Sequence, residues 1–104
     1  VIRIVALYRK PEDPDSFMDH YLKVHLPLVR RTPGLAELKV SRVLANAFGG
    51  EAPYFLITEM AYPDRATFDA AMRSEENRAV ARDASTFPQG ILTALICEDL
   101  DQSL

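Results

Sequence analysis

The sequence predicts an α+β domain in which helices pack on one face of a four-stranded antiparallel sheet, in the order β-α-β-β-α-(α)-β. Three observations carry this reading. Short apolar runs bounded by Pro, Gly and Asp clusters alternate with segments of helical period. Asp13-Pro14 and Ser74-Glu75-Glu76 are helix starts, one by its N-cap and proline, the other by acidic residues in a first turn. The first and last strands are apolar on both faces, so a single layer of helices leaves one face of the sheet uncovered.

The elements follow in turn. Val1 to Tyr8 is apolar at nearly every position except Arg3, and reads as a strand covered on two sides. Arg9 to Asp15, with two prolines and three carboxylates, ends it. From Ser16 to about Arg31 a helix is expected, with Phe17, Tyr21, Val24 and Leu28 as its buried stripe. Pro27 lies inside that helix and leaves the Lys23 carbonyl without its partner, so a bend or early end is expected there. Thr32-Pro33-Gly34 stops it.

Leu35 to Ala47 reads as a long, half-exposed strand, Phe48 to Pro53 as a turn, and Tyr54 to Met60 as a third strand pairing antiparallel with it. Tyr62-Pro63-Asp64 caps a helix carrying Phe68, Ala71 and Met72, and a second short helix runs from Ser74 to about Ala84. After Phe87-Pro88-Gln89-Gly90, Ile91 to Cys97 is the last strand, and residues 98–104 form a frayed acidic tail. Residues 1–104 thus make one domain, without internal repeat or linker.

Composition bounds the function. Nearly half of the 104 residues are apolar and about a quarter are charged, which is globular, and no apolar run is long enough for a membrane span. A net charge of −3, with Arg30-Arg31 as the one basic cluster, argues against a grip on nucleic acid. The lone Cys97 suits a reducing compartment, no secretory signal is visible, and a cytoplasmic location is expected. Nucleotide-binding motifs are absent, and Gly49-Gly50 reads as a turn.

Leaving the second sheet face in water exposes an apolar patch of several hundred Å² or more, which monomers seldom tolerate. Ile2, Ile4 and Ala6 oppose Val1, Val5 and Leu7 in the first strand, and Leu92, Ala94 and Ile96 oppose Ile91, Leu95 and Cys97 in the last. A homodimer packed sheet to sheet is therefore expected.

His25 is the most informative polar residue. It flanks the Phe17-Tyr21-Leu28 stripe just before Pro27, where its ring looks into the space between helix and sheet, and histidine exchanges protons near neutral pH. A boundary histidine bonding helix carbonyls is the competing reading. His20 lies five residues earlier, on another face by α-helical geometry, and reads as a solvated surface residue; a two-histidine metal site on this helix is therefore not expected. Tyr21 and Tyr54 offer phenol donors but also suit a core, and Cys97 reads as an inert thiol.

The segment from Leu7 to Leu28, with Leu7-Tyr8, the Pro and acidic turn, Phe17 then Tyr21, and His25-Leu26-Pro27-Leu28, followed by Pro33-Gly34-Leu35, resembles the EthD-like family. Phe68 and the Ser74-Glu75-Glu76 helix start extend the resemblance over nearly the whole chain. It implies two ferredoxin-like subunits packed sheet to sheet as a dimeric α/β-barrel, each with a pocket between sheet and helices. In enzymes of similar fold, such as methylmuconolactone isomerases and polyketide cyclases, a histidine at the position of His25 binds substrate or transfers a proton. The implied activity is a cofactor-independent enzyme acting on a small, oxygenated, partly apolar molecule such as a lactone, a quinol or a polyketide-like ring. His25 would move the proton, Tyr21 would orient the ligand, and Phe17 and Leu28 would exclude water. The alternative is a module of a degradation pathway that binds such a ligand without turning it over.

Overall fold

The computed structural model describes residues 1–100. It contains β1 (Ile2–Tyr8), α1 (Pro14–His20), a π-helical turn (Tyr21–His25), α2 (Leu26–Arg30), β2 (Glu37–Arg42), β3 (Leu56–Tyr62), α3 (Arg65–Met72), α4 (Glu75–Ala84) and β4 (Leu92–Glu98). The strands form one antiparallel sheet in the order β2-β3-β1-β4, with the helices on one face. This is the ferredoxin-like arrangement that the sequence predicts.

The helix starts are set by local side chains. Asp13 accepts from the Ser16 N–H at 3.1 Å with Pro14 following it, Asp64 from Thr67 at 2.8 Å, and Ser74 from Asn77 at 3.1 Å. Each takes up an amide that has no partner within its helix. The core between sheet and helices is built from Ala6 and Tyr8 of β1, Leu56, Thr58, Met60 and Tyr62 of β3, and Phe17, Tyr21, Leu26, Val29, Phe68 and Ala71 of the helices.

Several expectations are corrected. β2 is shorter than Leu35 to Ala47 because its pairing with β3 stops at Arg42 opposite Leu56; residues 43–55 form a long arm, closed near its base by the Val43 N–H donating to the Phe55 carbonyl. β3 begins two residues later than predicted, since the Phe55 N–H is taken by the Tyr8 carbonyl before the regular ladder starts. At the far end, β4 runs on to Glu98, and Asp99 receives the Arg3 guanidinium at 2.8 and 3.1 Å. The start of the expected frayed tail is therefore tied to β1, and its last four residues lie outside the described residues.

The most consequential correction lies in the first helix. Pro27 does not end it. The Leu26 N–H instead reaches back five residues to the Tyr21 carbonyl, and the chain stays helical to Arg30. One residue is thereby inserted into the helical register. The predicted stripe of Phe17, Tyr21, Val24 and Leu28 holds for its first two members and then slips by one position. His25 and Val29 turn inward, whereas Val24 is exposed and Leu28 is only partly buried.

On the face away from the helices lie Val5, Leu7, Ile57 and Leu95, which are apolar as predicted, beside Arg3, Glu37, Lys39 and Glu59. The loop after α2 turns through Gly34, which has φ +77° and where a β-carbon would run into the Thr67 methyl group. Any side chain there is strained both by the backbone and by that methyl. Gly34→Ala should lower stability by at least about 1 kcal/mol in urea unfolding, and adding Thr67→Ser should recover only the steric part.

Candidate functional site

The slipped register creates the site. In a regular α-helix residues five apart point about 140° away from each other; across the π-helical turn His20 and His25 face the same way. Both meet Asp83, in the last turn of α4. The Nε2–H of His20 donates to Asp83 Oδ1 at 2.8 Å, and the Nδ1–H of His25 donates to Oδ2 at 2.8 Å. The reading that puts His20 on another face from His25 is thus overturned, the π-helical turn being the reason, although its ring keeps much of its exposure to solvent.

A carboxylate only accepts, so each ring must present its N–H to Asp83. His20 therefore carries a proton on Nε2, and His25 carries one on Nδ1. The two rings differ in environment. The His20 side chain is 42% exposed, while His25 is buried and Asp83 is partly buried. Burial lowers the pKa of His25 below its ordinary value, with Asp83 only partly offsetting the effect, so His25 is neutral at pH 7.

Phe87, just beyond α4, packs among these groups. Its ring centroid lies 4.8 Å from that of His25, 5.2 Å from Phe17 and 5.9 Å from Tyr8. Tyr21 stacks on His25 at 5.4 Å, is fully buried, and hydrogen-bonds Thr58 of β3 through its hydroxyl. Burial raises the pKa of both Tyr8 and Tyr21, so the two phenols stay protonated. Among the described residues no buried side-chain nitrogen or oxygen lacks a partner.

A cleft of about 510 Å³ opens beside this cluster. Phe17, Phe87 and Ile91 supply apolar walls, His20 reaches it from α1, and Lys10, Ser16 and Gln89 bring polar groups to it. Of the residues singled out from sequence, Phe17 lines the cleft. His25 and Tyr21 lie behind it, one bonded to Asp83 and the other to Thr58. Leu28 is turned away by the register slip and borders a separate depression of about 300 Å³ with Arg31, Glu75 and Arg82. Among the described residues no group of three or more His, Cys, Asp or Glu side chains is placed to hold a metal ion, and no helix is long and apolar enough to cross a membrane.

Sequence reasoning missed His20 and Asp83. A signal for Asp83 was present: one turn after Val80 and one turn before Phe87, it is a carboxylate on the stripe by which α4 meets the first helix.

Residues 9–89, which include the whole cleft except Ile91, match the model of the EthD domain. The chain belongs to the EthD family. An ethyl tert-butyl ether D (EthD) family protein from Bacillus halodurans C-125 is 38% identical, with a TM-score of 0.88 over 95% of this chain and 98% of that one. An uncharacterized 11.0 kDa protein from the thcB-thcC intergenic region of Rhodococcus erythropolis is 26% identical, covering 93% of each chain. Two further structures share the fold. A dimeric ferredoxin-like protein of unknown function from Thermobifida fusca YX is 21% identical (TM-score 0.63, covering 92% of this chain and 88% of that one). SnoaB, a cofactor-independent oxygenase from Streptomyces nogalater whose structure is that of a mutant form, is 13% identical (TM-score 0.66, covering 99% and 95%).

For this EthD-family chain the neutral, buried His25 has a consequence for stability. The unfolded chain takes up a proton at the ordinary histidine value of 6.5, the folded chain only at a lower pH. The stability tied to neutral His25 is therefore complete above the ordinary value and is lost as pH falls from there toward the folded one. Urea midpoints followed from about pH 7.5 to about pH 5 should fall more steeply for wild type than for His25→Gln; parallel curves refute the assignment.

Proposed function

We propose that this protein is a cofactor-independent acid–base enzyme that moves a proton on a small, oxygenated, partly apolar molecule bound in the cleft beside α1. The observation that carries this reading is the Asp83 carboxylate shared by His20 and His25, with His20 reaching the cleft. His20 is the residue placed to touch substrate. Its Nδ1 lone pair takes a proton from a hydroxyl group, or from a carbon next to a carbonyl, and the same nitrogen returns it. Asp83 fixes the ring through Nε2 and offsets the positive charge the ring gains, as a carboxylate behind a catalytic imidazole does.

The role expected for His25 changes accordingly. It acts as a positioning residue: its Nδ1–H holds one carboxylate oxygen, so the other is aimed at His20. Phe17, Phe87 and Ile91 favour a flat, apolar ligand body, and Lys10, with Glu12 and Asp13 lining the same cleft, favours polar oxygen substituents on it. SnoaB, described as a cofactor-independent oxygenase, supports the view that this fold hosts chemistry without a bound cofactor.

The test does not depend on the identity of the product. Lactones, quinols and hydroxyaromatic ketones in deuterated water are followed by NMR for exchange of carbon-bound hydrogen and for turnover. Wild type should catalyse exchange on at least one class, His20→Ala should abolish it, and Asp83→Asn should lower it by at least about a hundredfold. Saturable binding with neither exchange nor turnover would select a binding module instead.

The same reading includes a homodimer through the open sheet face, supported by Val5, Leu7, Ile57 and Leu95 on that face and by the related fold described as dimeric. Light scattering at micromolar concentration should give twice the chain mass. Leu95→Glu, at the centre of β4 and already half-exposed in the single chain, should give the monomer.

A further inference from the structure

We infer that the arm of residues 43–55 from one subunit packs over the helix-side surface of β4 in a second copy and closes that copy's cleft. This rests on the homodimer proposed above.

The inference starts from β4. On the helix side of the sheet Ile4 pairs with Met60 and Ile96, and Ala6 with Thr58 and Ala94. The helices cover that face over β1 and β3 but stop short of β4, where Ala94 is exposed and Ile96 is 65% exposed. Leu95 on the other face is half-exposed as well. A partner lying flat on the open face covers Leu95 and leaves Ile96 bare.

The arm has the complementary property. Leu44 is 91% exposed and Phe48 is fully exposed, so neither contributes to the protomer that carries it. The base of the arm is nonetheless fixed, by Val43 to Phe55, by Phe55 to Tyr8, and by the Arg9 guanidinium 5.3 Å over the Tyr54 ring. It is a held projection bearing two large apolar side chains.

Area argues that a second copy is the occupant. Four strands of about seven residues present a face of roughly 450 Å², and Arg3, Glu37, Lys39 and Glu59 take part of it. A stable interface buries about 800 Å² on each partner. On so small a footprint the sheet face alone makes a modest interface, and contacts beyond it enlarge it.

Topology brings the two surfaces together. β2 and β4 are opposite edges of the sheet. In a face-to-face pair related by a two-fold axis along the strands, β2 of one copy lies over β4 of the other, with the same ends of the two sheets aligned. The arm leaves β2 at Arg42, opposite Leu56, which pairs with Tyr8, which pairs with Leu92 at the start of β4. That is the end at which Ile91, Gln89 and Lys10 line the cleft. An arm passing the edge of the partner's β4 there lies across the cleft and meets Leu92 and Ala94 from the helix side, and folding back about 13 Å along the strand brings its tip to Ile96. Each of the two sites is then complete only with a segment of the other chain.

In a Cys97→Ser background, Phe48→Cys and Ala94→Cys are combined in one full-length chain and treated with a short bis-maleimide. The two positions lie toward opposite edges of the sheet within a protomer, so linkage between chains is expected, read as a covalent dimer on a denaturing gel. A dimer mass by light scattering without covalent dimer overturns the arm placement and leaves the sheet-to-sheet dimer standing; a monomer mass overturns both. Independently, Leu44→Ser with Phe48→Ser, which remove no contact within the protomer, should weaken dimerisation at least tenfold in sedimentation equilibrium. An unchanged constant overturns the inference.

Discussion

The hydrogen bond from the Leu26 amide to the Tyr21 carbonyl sets the course of everything built on the first helix. Pro27 cannot donate to the Lys23 carbonyl, and a proline ring crowds the turn before it. The chain could have stopped at that point. It widens by one residue instead, and every side chain after Tyr21 is displaced around the axis relative to a regular helix. Val29 rather than Leu28 then packs into the core, and two histidines that α-helical spacing would separate meet a single carboxylate.

That carboxylate shows why buried polar groups are placed in sets. The oxygens of Asp83, a partly buried side chain, need donors, and a buried histidine beside it would be costly to keep without an acceptor. Two N–H donors on its two oxygens satisfy the group without a second charge in the interior, since His25 stays neutral. Beneath it Tyr21 and Thr58 satisfy each other in the same way. Phe87 touches both layers and separates His25 from the cleft, so the polar cluster meets the cleft through His20.

The sequence was most readable where local chemistry decides the structure. Asp13-Pro14, Asp64 and Ser74 start helices because their side chains reach amides three residues on, and the two-sided apolar pattern of β1 and β4 reflects the pleat directly. It was least readable where a local rule has two solutions. Pro27 permits either a break or a widened turn, and only packing against α4 chooses between them. The residues brought together by that choice, His20, His25 and Asp83, are separated by some sixty positions, and no periodicity within one helix connects them. His25 was found because it sits on a recognisable segment. Asp83 stands on no comparable segment, and its pairing with the two histidines is set by tertiary packing.

The weak lateral support of β4 has a bearing on how the chain comes to rest. This strand is bonded along one edge to β1, carries no helix over its outer half, and is anchored at its far end by the Asp99 amide on the Val1 carbonyl and by Arg3 on Asp99. It closes the chain's most distant pairing, joining residues at the two termini, and contacts of such sequence separation come late in folding. In an isolated protomer its amide hydrogens would, with those of the other edge strand β2, be among the first of the sheet to exchange with solvent. The final strand is thus the part of the molecule whose order depends most on company, and protein concentration belongs among the variables that govern its folding.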